Sequence, residues 1–261
     1  MKLLSIESDP KTSLGSVEGI LTGIEYMAPN TVSGWNVCKD ATPGCIASCL
    51  NTAGHGQFDS VQLARINRTT FFFTNREAYF EQLIKEITAL VAKAKRRNML
   101  PAVRLNGTSD LPYERISFTY QGVLYANIMT LFPLIQFYDY TATASRLMSP
   151  LPNNYDLTFS YKETLANHAL AELMLEMGKR VAVVFKVKTG YLPGTHTHKY
   201  ALPKTYAIGS KRYKVINGDS NDLRFLDPQG VIVGLRAKGK ARNDTSGFVL
   251  DATTTPIKLV A

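Results

Sequence analysis

The chain is poor in the residues that cross-link or anchor proteins. Its 261 residues include three cysteines, four histidines and one tryptophan. Three cysteines cannot build a disulfide framework, and an odd count fits a reducing compartment. Long hydrophobic runs are missing too. The longest charge-free stretch, Ile116 to Tyr138, contains Gln121, Asn127, Pro133 and Gln136, so it is a poor membrane span and no membrane partner is expected. The opening MKLLSIESDP places Glu7 and Asp9 just after a short apolar patch, which is not the pattern of a signal peptide. There is no P-loop, GxGxxG, GxSxG or HExxH motif. These absences point to a globular protein of the cytoplasm and give no ready-made reaction.

Basic charge is in excess. Thirty Lys and Arg face 21 Asp and Glu, a net charge of +9. The segment 199–242 holds ten Lys or Arg against three Asp, a local +7. Such a segment could attract nucleic acid, but a solvated basic surface is the preferred reading because the interleaved aromatics are limited to Tyr200, Tyr206 and Tyr213.

Apolar periodicity orders the rest. Gly19–Met27 alternates as a strand, and a helix is predicted over Asn75–Asn98 from Phe80, Leu83, Ile84, Ile87, Leu90 and Val91. Further strands are expected at Pro101–Asn106, Leu134–Tyr138, Tyr155–Ser160 and Val181–Val187, with helices at Val123–Leu131 and Glu163–Gly178. A hairpin is expected around Gly209–Ser210 and a strand at Val231–Leu235. Strands alternating with helices argue for parallel βαβ units. The expectation is one α/β domain over residues 1–261, a partial or full (β/α) barrel, with a cysteine loop at 35–54.

All three cysteines fall in that loop, as Cys38-x6-Cys45-x3-Cys49. Clustered thiolates suit a soft metal. They could hold three irons of a [4Fe–4S] cluster and leave the fourth iron open to a small-molecule ligand. They could instead make a zinc site with His55. The plain alternative is three free thiols that happen to be neighbours. The iron–sulfur reading is preferred.

Polar residues gather at the strand ends. Arg104 and Asn106 share one face of a strand, and Gln136 and Tyr138 share one face of another. With Ser160 and Lys186 they are candidate binding residues for a polar cofactor, because ligands of parallel α/β folds collect at the carboxyl ends of strands. Ordinary capping is the competing explanation for any one of them. Asp219 and Asp222 read as a turn, and His196-Thr-His198 as a surface loop.

A cysteine loop after the first strand of a parallel array resembles the architecture of radical S-adenosylmethionine (SAM) enzymes, although those carry C-x3-C-x2-C. That resemblance implies SAM as a possible ligand of the open iron. A second resemblance is closer. The run Gly34-Trp-Asn-Val-Cys-Lys-Asp-Ala-Thr-Pro-Gly-Cys-Ile-Ala-Ser-Cys-Leu50, with Val61–Arg65, Phe137–Thr141, Leu157–Ser160, Gly218–Arg224 and Val233–Gly239, is similar to the bacteriophage gene product 88-like family. It implies a phage protein of the host cytoplasm and supplies no reaction; the alternative to a radical-SAM-like enzyme is a structural or host-takeover binding protein in which a cluster or zinc only stabilises the cysteine loop.

Overall fold

In the computed structural model, residues 1–7, 18–188 and 201–252 are described. The expected His196–His198 loop, with Lys199 and Tyr200, lies outside them. The fold is mixed α/β and divides into two compact units, the first Met1–Asp40, His55–Leu157 and Asn221–Leu226, the second Ala41–Gly54, Thr158–Ser220 and Asp227–Ala261.

The first unit contains β1 (Leu4–Ile6), β2 (Ile20–Glu25), β3 (Leu100–Arg104), the hairpin of β4 (Phe118–Tyr120) and β5 (Val123–Tyr125), β6 (Gln136–Thr141) and the opening of β7 (Tyr155–Ser160). Its main strand order is β1-β2-β3-β6-β7. β1 runs antiparallel to β2, while β2, β3 and β6 are parallel, with Ile24 level with Arg104 and Ala102 level with Gln136. The Arg76–Arg96 helix packs on these strands through Tyr79, Phe80, Leu83, Ile84, Ile87, Leu90 and Ala94, all buried. Its predicted periodicity is borne out. Asn75 caps it by accepting from the Ala78 N–H, and Lys93, Lys95 and Arg96 complement its carboxyl end. Gly23 lets the helix come close, since a Cβ there would stand 3.1 Å from Leu90 Cδ2.

Two elements differ from expectation. Asp59–Thr74 is a helix that the periodicity did not reveal. Val123–Leu131 is a strand followed by a short helix, Ile128–Leu131. The cause is the Gln121-Gly122 pair, whose φ angles of 49° and 77° form the tight left-handed turn that a two-residue hairpin requires.

The second unit takes Phe159 and Ser160 at the end of β7, which pair in parallel with Val181 and Ala182 of β8 (Val181–Lys186). β9 (Thr205–Ile208) and β10 (Lys211–Asn217) form the expected hairpin across Gly209, at φ 60°. β11 (Ile232–Arg236) lies parallel between β8 and β10, and β12 (Val249–Asp251) runs parallel to the second half of β8. The Leu165–Glu176 helix starts at Thr164, which accepts from the Asn167 N–H, and the chain leaves it through Gly178 at φ 75°. Parallel pairing is therefore as expected. A closed barrel is not formed among the described residues: in neither unit does the strand order return on itself, and the outermost strands β1 and β9 are antiparallel.

Candidate functional site

The cysteine loop enters the second unit at Ala41. Thr42 caps a short helix, Pro43–Ala47, and its Oγ1 accepts from the Cys45 N–H at 3.4 Å. Pro43 occupies the first turn, where its missing N–H costs nothing. Glu163 closes the arrangement. Its carboxylate accepts from Thr42 Oγ1 at 2.6 Å and from the Gly44 N–H at 2.8 Å. A Cβ on Gly44 would meet Ser246 Oγ at 2.2 Å and Glu163 Cδ at 2.8 Å, so a side chain there would push those two groups away. At the other end Ser48 Oγ donates to Asp244 at 3.1 Å. Burial works against ionisation of Asp244, but hydrogen bonds from Ser246, the Val249 N–H and Ser48 outweigh it and hold this carboxyl below its usual range.

Cys45 is half-buried, and its Sγ accepts a hydrogen bond from Lys162 Nζ at 2.7 Å. Lys162 is 7% exposed. It lies two residues beyond the end of β7, and its N–H donates to Asn167 Oδ1 at 2.6 Å, which fixes the backbone from which the side chain departs. Its ammonium also lies 5.4 Å from the centre of the Phe248 ring. A buried ammonium ordinarily meets a carboxylate. Here its hydrogen-bond partner is a sulfur. The adjacent Tyr161 ring stacks on His168 at 4.9 Å, and burial pushes the His168 imidazole towards its neutral form.

The iron–sulfur and zinc expectations do not hold. Among the described residues no group of three or more His, Cys, Asp or Glu side chains could hold a metal ion. The physical reason is local pairing. Cys38 belongs to the first unit, where its Sγ accepts from the Asn30 N–H at 3.3 Å and approaches the Thr108 carbonyl at 3.8 Å. Cys45 is turned to Lys162. His55 packs tilted against Phe58, ring centres 5.8 Å apart. The radical SAM likeness, which rested on the cluster, is not supported.

The strand-end residues are divided between the two units. Arg104, Asn106, Gln136 and Tyr138 belong to the first unit, Ser160 and Lys186 to the second. Arg104 and Asn106 meet in one buried network. Arg104 Nη1 stands 2.5 Å from Asp222 Oδ2, and its guanidinium lies 4.7 Å from the Tyr140 ring centre. Burial opposes its charge, and Asp222 restores it and holds the group protonated. The Asn106 N–H and Nδ2 donate to the two Asp139 oxygens at 2.7 and 3.1 Å. Asn106 Oδ1 accepts from Ser109 Oγ and the Leu111 N–H. Asp139 also accepts from Tyr155 at 2.9 Å, and burial raises its pKa to about 6. Tyr138 packs with Ile20, Ala102 and Leu223. Gln136 Nε2 donates to the carbonyls of Phe137 and Asn154. Ser160 pairs with Ala182, and Lys186 is exposed at the end of β8, level with Asp251.

Two further charged residues are buried in the first unit. Arg146 is buried and binds Asp110 at 2.5 Å and Glu114 at 2.8 Å. Glu25 is fully buried and accepts from Tyr79 at 2.5 Å and Tyr113 at 2.9 Å, and burial raises its pKa to about 7. In the second unit Asp219 pairs with Arg236 and Lys238, each at 3.0 Å, which neutralises part of the basic segment locally. Sequence reasoning took Glu163 as a helix start and did not single out Lys162. Its one visible signal was position, just after a strand that ends beside other polar residues.

A family model described as Gene product 88 matches residues 3–252. The chain belongs to this phage family. No curated protein matches it, and no solved structure does. Membership in the Gene product 88 family agrees with the resemblance carried by the cysteine segment. No helix among the described residues is long and apolar enough to cross a membrane.

Proposed function

We propose that the second unit performs thiol chemistry, with Cys45 as the nucleophile and Lys162 as its charge and proton partner. The observation that carries this is the 2.7 Å contact between the Sγ of half-exposed Cys45 and the ammonium of buried Lys162. A thiolate is the reactive form of cysteine, and a neighbouring cation favours it. The fitting substrate class is an activated acyl compound. Sγ attacks the carbonyl carbon and a thioester forms, while the leaving group takes a proton from the Lys162 ammonium. Water then cleaves the thioester and the proton returns to nitrogen. Phe248 supplies an apolar wall beside the ammonium. A free thiol nucleophile works in a reducing compartment, so this proposal places the protein in the host cytoplasm.

The test is treatment of the full chain with a p-nitrophenyl ester, followed by peptide mass mapping. Acylation should fall on Cys45 ahead of Cys38 and Cys49, and Lys162→Met should slow it at least about tenfold. Acylation spread evenly over the three cysteines, or unaffected by Lys162→Met, would overturn the proposal.

A further inference from the structure

The Cys45–Lys162 pair also reads as an oxidative modification site. It rests on the same two side chains as the proposed function, but not on acyl chemistry. Three observations converge. Sγ and Nζ are 2.7 Å apart, close enough for one oxygen to bond to both. Cys45 is half-exposed and can meet a small oxidant, whereas the lysine is 7% exposed and is held at the sulfur rather than sweeping through solvent. Both are fixed by one clamp, since Glu163, the residue after Lys162, binds Thr42 and the Gly44 N–H at the start of the Cys45 helix. A surface lysine reaches a thiol only transiently; this one is positioned against it.

We propose that peroxide joins the two residues through a covalent Nζ–O–Sγ bridge. The balance uses two peroxides. The first oxidises the thiol to a sulfenic acid: the S–H and O–O bonds break, S–O forms, and one water leaves. The second removes two hydrogens, one from the sulfenic oxygen and one from the neutral amine, as the O–N bond forms, and is itself reduced to two waters. Four electrons pass in all, two from sulfur and two from nitrogen. The product lacks both the nucleophile and its ammonium partner, so the bridge switches the site off. An excess of a dithiol reverses the sequence by reducing sulfur and nitrogen and releasing water.

The experiment exposes the full chain to hydrogen peroxide and reads intact mass, then peptides digested without reductant. The expected product gains one oxygen and loses two hydrogens, with the change located in a peptide that links residue 45 to residue 162. Dithiothreitol should return the original mass. Cys45→Ser and Lys162→Arg should each abolish the linked peptide, with circular dichroism confirming that both variants fold. Oxidation of Cys45 to sulfinic or sulfonic acid with no linked peptide would overturn the inference. So would a disulfide to Cys49, which loses two hydrogens without gaining oxygen. A linked peptide in a protein that no ester acylates would sink the proposed function and leave this inference standing; the opposite pair of results would do the reverse.

Discussion

Asp222 Oδ2 stands 2.5 Å from Nη1 of Arg104, across 118 residues of sequence, and both side chains are almost fully buried. The ion pair fastens the short Asn221–Leu226 segment to β3 within the first unit, beside Leu223 and Phe225, which pack against Ile20, Ala102 and Tyr138. Removing one partner leaves the other charge buried and uncompensated. Arg104→Ala is therefore expected to destabilise the protein by about 3–5 kcal/mol, and the double variant Arg104→Met with Asp222→Leu by much less. Urea unfolding of the two variants and the parent measures this. Equal losses in the single and double variants would show that the pair is not the source of the stability.

A second prediction follows from two buried carboxyls. The Glu25 pKa is raised to about 7 and the Asp139 pKa to about 6, in each case chiefly by burial. The folded protein therefore holds protons that the unfolded chain has already released. For a raised pKa the contribution to stability is complete below the unfolded value, near pH 4, and is lost as pH rises through the folded value. Stability should fall between about pH 4 and pH 7, by an amount on the order of a few kcal/mol. Glu25→Gln keeps the shape and removes the titration, so it should flatten the upper part of that slope. Melting temperatures in a buffer series, parent against variant, give the answer. A parent whose stability climbs steadily over this range would contradict it.

Much of the architecture was legible because it is local. Tyr155–Ser160 was read to the residue, since its apolar alternation needs no knowledge of neighbours. The Asp59–Thr74 helix was not, because its buried positions include Arg65 and Thr69 beside Phe72, and no clean apolar stripe marks them. Thr69 is buried to donate to the Arg65 carbonyl and to accept from the Ala28 N–H, which is a tertiary role. The site shows the same division. Cys45 stood out as part of a rare residue cluster, and spacing alone suggested that three thiols converge. Lys162 lies 117 residues further along, and no local pattern connects a lysine after a strand to a thiol before a short helix. Arg104 ends β3 as an apolar run suggests, but Asn106 lies two residues beyond the strand that was expected to reach it. Their partners Asp222 and Asp139, which engage them internally, are set by the crossing of distant segments.

The last prediction concerns the clamp that holds the thiol. Glu163 accepts two hydrogen bonds from the start of the Cys45 helix, and Gly44 leaves no room for a side chain beneath it. Glu163→Ala would leave the Gly44 N–H and the Thr42 hydroxyl without this acceptor, at a cost of about 1–3 kcal/mol. Gly44→Ala acts from the other side, forcing Ser246 and Glu163 away from the helix. Its fold should survive, because the strain is confined to a loop within the second unit. Both variants release Cys45 from its fixed position against Lys162, so both should slow Cys45 alkylation by iodoacetamide at neutral pH towards the rate of an ordinary exposed thiol. Thr42→Ser keeps the hydroxyl and should behave as the parent. Peptide-resolved alkylation rates for Cys38, Cys45 and Cys49 in each variant separate a clamp from general loosening. If Glu163→Ala changed all three rates alike, the effect would be a general loosening of the protein and not the clamp. A change at Cys45 alone, absent from Thr42→Ser, is the outcome that the Glu163 hydrogen bonds dictate.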